Sequence, residues 1–138
     1  MVDYEIIIAV LGVVGIGGVI ATSLTYIFEK RKQSKFSEQA EKEKRYKAMV
    51  LHMRTIVKPD DLKYMQLHRP DLKDMTDVKN EVETEWYNSL LFASDDVIKS
   101  LKEFILKPNN TTYAKTVIAM RKDLWNKKTS LRPEEINL

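Results

Sequence analysis

The pattern of apolar and polar residues divides the chain into one long apolar segment followed by a series of amphipathic stretches. Residues 6–28 are 23 consecutive positions without a charged side chain. A helix of that length extends roughly 35 Å, which is enough to cross a hydrocarbon core of about 30 Å. A cleaved signal peptide is the alternative, but it would begin with positive charge, whereas this chain begins with Asp3 and Glu5. The segment therefore predicts a single transmembrane helix.

Beyond residue 45, apolar residues recur every three or four positions, which predicts helices, and no alternating strand pattern occurs. Proline residues 59, 70 and 108 separate the segments, because proline interrupts a helix. Residues 60–76 are predicted to form a short helical turn and a loop. The predicted core-facing stripes are Tyr46, Met49, Val50, Met53, Ile56 and Val57; Met75, Val78, Val82, Trp86, Leu90 and Ala93; Val97, Ile98, Leu101, Phe104 and Ile105; and Tyr113, Val117, Met120 and Leu124.

Polar residues between the stripes predict where the later helices begin. Ser94 is predicted as an N-cap, with Asp95 and Asp96 in the first turn, where the helix dipole favours negative charge. Residues 109–112 are predicted to cap the last long helix. A final short turn is expected at Pro133, because proline followed by acidic residues is typical of a helix start.

Together these patterns predict an all-α protein with a single N-terminal transmembrane helix followed by a small helical bundle of three to four helices. All four glycines lie within the apolar segment, and their absence from the rest disfavours hairpin turns. We predict a short outside tail at residues 1–5, the transmembrane helix at 6–28, a basic juxtamembrane helix or linker at 29–45, and a cytoplasmic helical domain at 46–138.

The charge distribution predicts the orientation. All 23 Lys and Arg residues follow the apolar segment, and positively charged flanks remain on the cytoplasmic side. The predicted location is therefore the cell membrane, with the N-terminus outside and the domain in the cytoplasm. Four cations next to the apolar segment are predicted to contact anionic lipid headgroups, with the bilayer as partner. They are Lys30, Arg31, Lys32 and Lys35.

Small residues on the predicted membrane helix suggest a packing face. Gly15, Gly18 and Thr22 fall on one side, and Gly17 and Ala21 form a neighbouring pair four residues apart. Such spacing lets a second helix approach closely. It predicts a membrane protein partner or a homo-oligomer, and the sequence does not distinguish between them. The alternative is that glycine is simply common in membrane helices.

Few residues suggest chemistry. The chain has no cysteine, which excludes disulfides and thiolate metal sites. No glycine follows Gly18, so residues 29–138 contain neither a glycine-rich phosphate loop nor a G-x-S-x-G elbow. His52 and His68 are isolated from each other. We predict no catalytic residue, no cofactor and no metal site.

An acidic run offers the strongest alternative to that interpretation. Its members stand three or four residues apart and would gather a hard cation if they lay together on one helix. A solvated acidic face is favoured, since the glycine of a calcium loop is missing. The run consists of Asp71, Asp74, Asp77 and Glu81, with His68 nearby.

Basic residues raise two further possibilities. Residues 29–58 contain ten basic and four acidic side chains, but aromatic residues are not interleaved with the cations, so nucleic acid is not expected as a partner. Arg121 and Lys122 stand beside Asp123, between the apolar Met120 and Leu124. This group is interpreted as an ordinary helix surface.

Two segments, LLFASDDVIKSLKEF and VIAMRKDLWNKKTSLRPEEI, carry a resemblance to a known family. They resemble segments of an uncharacterised prokaryotic family of small proteins with one N-terminal transmembrane helix and a cytoplasmic helical domain. The resemblance covers about residues 90–136. It implies the same architecture and no assigned activity.

These observations lead to a functional hypothesis. We expect a non-catalytic, membrane-anchored interaction or scaffold protein, in one version an accessory subunit of a larger membrane complex. The alternative is a ligand-sensing, metal-sensing or enzymatic helical domain with an unfamiliar site.

Overall fold

The computed structural model describes residues 4–125 and 129–136, with side chains described from residue 22 onward. The described residues form helices and short turns and contain no strand. The α-helices are α1 (Tyr4–Val57), α2 (Leu62–His68), α3 (Met75–Ser89), α4 (Asp95–Leu106) and α5 (Asn110–Trp125). Two short 3-10 turns, Pro59–Asp61 and Pro133–Glu135, follow α1 and α5.

The chain divides into two compact units, Met1–Ala40 and Glu41–Leu138. In the first unit, every described side chain, from residue 22 to residue 40, is exposed. The second unit contains the C-terminal part of α1 together with α2 to α5, and it holds the hydrophobic core.

The core of the second unit is a helical bundle to which α1, α3, α4 and α5 all contribute buried side chains. The most extensive packing is between α4 and α5. Burying each of the larger apolar side chains contributes about 1.5–3 kcal/mol. The core cluster comprises Tyr46, Met49, Met53, Val82, Val97, Leu101, Phe104, Ala119 and Met120.

Local chemistry explains where the helices begin and end. Pro59 follows the end of α1 closely, as predicted, and starts a 3-10 turn. Asp74 caps α3 by accepting hydrogen bonds from the amides of Thr76 (2.7 Å) and Asp77 (3.1 Å). Asn109 accepts one from the Thr112 amide at 3.0 Å, at the start of α5. The predicted cap of α5 is therefore confirmed, and the start of α3 has a cap at Asp74 that was not predicted.

The transmembrane part of the predicted fold class is corrected by the structure. Among the described residues, no helix is long and apolar enough to cross a membrane. Within the predicted span, the described side chains begin at residue 22 and include the hydroxyls of Thr22, Ser23 and Thr25, and α1 continues beyond Glu29 into densely charged sequence. Residues 6–21 of that span lie outside those whose side chains are described. The predicted domain boundaries and location remain predictions.

The second apolar stripe is interrupted at Leu90, although Ala93, its last predicted member, packs against the core. Val78 and Val82 are buried and Trp86 packs against the core, but α3 ends at Ser89 and Leu90 is exposed. The buried hydroxyl of Ser89 donates a hydrogen bond to the Trp86 carbonyl at 2.7 Å, within the last turn of the helix. The chain then turns, so Leu90 no longer shares the helical face.

Candidate functional site

Asp123 on α5 is the centre of a partly buried polar network. Its Oδ2 accepts a hydrogen bond from the Tyr46 hydroxyl at 2.5 Å and lies 2.7 Å from the Lys42 ammonium nitrogen. The backbone amide of Ser94 donates to the same oxygen at 3.3 Å. One carboxylate therefore joins α1, α5 and the residue preceding α4.

The electrostatics of this network favour a structural role. Burial acts to raise the pKa of Asp123, but hydrogen bonds from Lys42 and Tyr46 outweigh it and hold that pKa below its usual range. Burial and the hydrogen bond to Asp123 raise the pKa of the Tyr46 phenol. Near neutral pH the carboxylate is charged and the phenol keeps its proton. The network therefore ties α1, α5 and the residue before α4 together.

The sequence interpretation missed Asp123, which was assigned to an ordinary helix surface. Its neighbours Arg121 and Lys122 are exposed as that interpretation expects, whereas Asp123 points to α1. One signal was present: Asp123 lies three residues after the core residue Met120, on the same face. A lone acid next to an apolar face suggests a paired charge.

A second cluster surrounds His52, which is only 3% exposed. Its Nδ1 atom has no hydrogen-bond partner. Burial lowers the pKa of His52, the charges of Glu81 and Glu85 act to raise it, and Arg69 acts to lower it. A histidine buried in its neutral form is thus held among charged groups.

Arg69 organises the acidic side of this cluster. Its guanidinium binds Asp71 through Nη2 at 2.7 Å and Glu81 through the same nitrogen at 3.0 Å. These bonds raise the pKa of Arg69, and the guanidinium holds the pKa of Asp71 below its usual range. Through Arg69, these ion pairs hold the connection between α2 and α3, residues 69–74, against α3.

The acidic run is only partly brought together. Arg69 joins Asp71 and Glu81, whereas Asp74 caps α3 and Asp77 accepts a hydrogen bond from the Lys73 amide at 2.8 Å. A shallow depression of about 190 Å³ is lined by Asp71, Asp77 and Glu81 but not by Asp74. Among the described residues, no three His, Cys, Asp or Glu side chains come together as a group that could hold a metal ion. His68 is exposed at the end of α2.

The residues predicted to meet a membrane or a partner helix fall in α1. Gly15, Gly17, Gly18 and Ala21 lie outside the residues whose side chains are described, and Thr22 is exposed. The four predicted lipid-contacting cations are all exposed, and their lipid contact remains a prediction. They are Lys30, Arg31, Lys32 and Lys35.

An exposed apolar surface lies where α3 meets the connection to α4. Tyr87, Leu90 and Leu91, which we call the α3–α4 corner, are all exposed, and Leu91 is 89% exposed. The backbone here is ordered by hydrogen bonds: the amide of Leu90 donates to the Tyr87 carbonyl at 3.3 Å and that of Leu91 to the Asn88 carbonyl at 3.2 Å. The corner therefore presents apolar side chains from a fixed backbone.

Comparison with protein-family models, curated proteins and solved structures finds no match to this chain.

Proposed function

We propose that the chain is a non-catalytic interaction protein whose helical bundle recruits or braces a protein partner. The observation that carries this proposal is the α3–α4 corner. Leaving Leu91 in water forgoes about 1.5–3 kcal/mol that burial of a leucine side chain would contribute. Adjacent exposed apolar side chains on an ordered surface are typical of interaction sites.

The structure beneath the corner supports its use as a contact surface. Phe92 packs against the core, with its ring centroid 6.0 Å from that of Tyr46. The Ser89 hydroxyl and the Trp86 indole nitrogen, which donates to the Ile98 carbonyl at 3.2 Å, fix the end of α3. A partner would therefore meet a surface that is already organised, which reduces the ordering cost of binding.

Site-specific photo-crosslinking in cells tests the proposal. A crosslinking side chain at Leu91 should capture a defined protein, whereas the same group at Leu106, which is 75% exposed at the end of α4, should not. Leu91→Glu should weaken capture by a probe at Tyr87 without changing the free energy of unfolding. Equal labelling from both positions, or capture unaffected by Leu91→Glu, would contradict the proposal.

An accessory subunit of a larger complex is the more specific form of this proposal. Purification in mild detergent at native expression should then yield the chain together with a companion in fixed ratio. A chain that runs alone, or only with copies of itself, would argue against this form and leave the α3–α4 corner to be tested by crosslinking.

We also propose that the exposed cations of α1 bring the chain to an anionic membrane surface. Lys30, Arg31, Lys32 and Lys35 lie within six residues, and each cation near anionic headgroups contributes about 1 kcal/mol. Binding to vesicles containing phosphatidylserine should exceed binding to neutral vesicles and fall with salt. Replacing the four cations with glutamine should remove that difference, while replacing Lys99, Lys102, Lys107 and Lys115 should retain it.

A further inference from the structure

A serine stands within the basic segment of α1. Ser34 follows Arg31 by three positions and Lys32 by two, and it directly precedes Lys35. Its side chain is exposed, and its hydroxyl donates a hydrogen bond to Oε1 of Glu38 at 3.4 Å. This hydrogen bond is long and lies in solvent, so the hydroxyl oxygen is accessible to an enzyme.

The residues before Ser34 have the charge that one class of enzyme selects. Protein kinases choose their substrates partly by charge pattern. Kinases with acidic substrate-binding pockets select cations two and three positions before the acceptor hydroxyl, and Lys32 and Arg31 occupy these positions. Ser37 is exposed as well, but the third position before it is Ser34, which has no charge. The pattern therefore favours Ser34 over Ser37 as an acceptor.

The helix around Ser34 can open without loss of core packing. Every described side chain from residue 22 to residue 40 is exposed. Unwinding this part of α1 therefore breaks backbone hydrogen bonds but uncovers no buried side chain of the segment. Local openings of this kind need less free energy than global unfolding. A kinase that binds its substrate in an extended conformation can thus reach the Ser34 hydroxyl.

We propose that Ser34 is a phosphorylation site that releases α1 from an anionic membrane surface. This inference rests on the proposal that the cations of α1 bind anionic headgroups. In the modification, the Ser34 hydroxyl oxygen bonds to the terminal phosphorus of a nucleoside triphosphate. The bond from that phosphorus to the bridging oxygen breaks, the nucleoside diphosphate leaves with the electron pair, and the hydroxyl proton passes to the kinase.

The charge of the segment decides what a phosphate does there. Residues 29–38 hold four basic and two acidic side chains, which gives a net charge of +2. A phosphoserine adds about −1.5 to −2 near pH 7, so the segment becomes nearly neutral. Lys30 and Arg31 stand four and three positions before Ser34 in α1, one turn away on the same face. The phosphate pairs with these cations and withdraws them from the lipid headgroups.

Flotation of the full chain with lipid vesicles tests the release. Phosphoserine is introduced in place of Ser34 during synthesis, and binding to phosphatidylserine vesicles is compared with binding to neutral phosphatidylcholine vesicles. The phosphate should lower the preference for phosphatidylserine roughly thirtyfold, the effect of removing two basic residues near the surface. Phosphoserine in place of Ser130, an exposed residue of the second unit, changes the total charge equally and should preserve the preference.

The outcomes separate this inference from the membrane proposal on which it rests. If the unmodified chain prefers phosphatidylserine and a phosphate on Ser34 leaves that preference intact, the phosphorylation inference is wrong and the membrane proposal stands. An equal loss of preference from a phosphate on Ser130 would also overturn the inference. An unmodified chain without any preference would overturn both.

The chain isolated from its own cells provides a second test. Mass spectrometry should find phosphate on Ser34, enriched in the fraction released from membranes. Arg31→Gln should remove this phosphate, because the cation that the kinase selects is gone. Lys35→Gln removes one positive charge after the acceptor and should retain the phosphate. Native chain without phosphate on Ser34, or equal phosphorylation of the two variants, would overturn the proposal.

Discussion

The hydroxyl of Tyr46 lies 2.5 Å from Oδ2 of Asp123, and this hydrogen bond joins α1 to α5 across 77 positions of sequence. Lys42, one turn before Tyr46, reaches the same oxygen at 2.7 Å. Two side chains of α1, one helical turn apart, therefore hold the part of α1 that begins the second unit against the end of α5. One carboxylate therefore receives both polar contacts between this part of α1 and α5.

Tyr46→Phe is expected to lower the free energy of unfolding by about 1.5–3 kcal/mol, the range for a hydrogen bond to a charged group. The substitution keeps the ring and its packing against Phe92, so the loss of stability measures the contribution of the hydroxyl alone. Urea denaturation followed by circular dichroism measures the change. Tyr64→Phe, at an exposed tyrosine on α2, is the matched control and should be neutral. Equal stability of the two variants would show that the hydrogen bond contributes nothing.

Asp123→Asn is expected to alter the response to acid. Because its folded-state pKa is held below the ordinary value, Asp123 stabilises the fold above the unfolded value of about 3.9, and this contribution is lost as pH falls through the folded-state pKa. The variant should be less stable than wild type at pH 7, and the difference should shrink at low pH. Denaturation midpoints at pH 7, 5 and 3 test this. A difference that stays constant with pH would contradict it.

Much of the bundle could be predicted because its signals are local. The stripe of α4 is found as predicted except at Ile98, which is only half-buried: Val97, Leu101 and Phe104 are buried, and Ile105 packs against the core. Ser94 occupies the predicted N-cap position, although its hydroxyl makes no capping hydrogen bond. Apolar periodicity, proline and cap residues act within one or two helical turns, so a single sequence reveals them.

The features that were missed depend on contacts between distant segments. The buried face of α5 includes Thr112, Ala114 and Thr116. These side chains are small or carry a hydroxyl, so the sequence pattern does not predict them as core residues. They become buried because α4 packs closely on α5, and the Thr116 hydroxyl is satisfied by the Thr112 carbonyl at 2.9 Å. Asp123 likewise acquires its role from Tyr46 and not from its own neighbours.

Two leucines should differ sharply on truncation. Leu101 lies on α4 and is fully buried in the core. Leu101→Ala is expected to lower the free energy of unfolding by about 2–5 kcal/mol. Leu91 is exposed, and Leu91→Ala should change the free energy of unfolding by less than about 0.5 kcal/mol. Thermal or urea unfolding of both variants measures this. A large loss for Leu91→Ala would mean that the α3–α4 corner is a structural element and not a free contact surface.

The pH dependence of stability near neutrality should trace to His52. Burial lowers its pKa in the folded state, so below the unfolded value of about 6.5 the unfolded chain binds a proton that the folded chain does not. The free energy of unfolding should therefore fall as pH decreases below 6.5, with a slope approaching about 1.4 kcal/mol per pH unit for one proton.

His52→Gln should flatten this slope between pH 7 and pH 5, while His68→Gln should preserve it. Urea denaturation at half-unit steps of pH provides the measurement. The contribution of Asp123 to stability begins to fall only near pH 4, so Asp123 and His52 affect stability in separate pH ranges. If His52→Gln kept the wild-type slope, the imidazole would be equally free to take up a proton in the folded and unfolded chain, and its burial would have no electrostatic consequence.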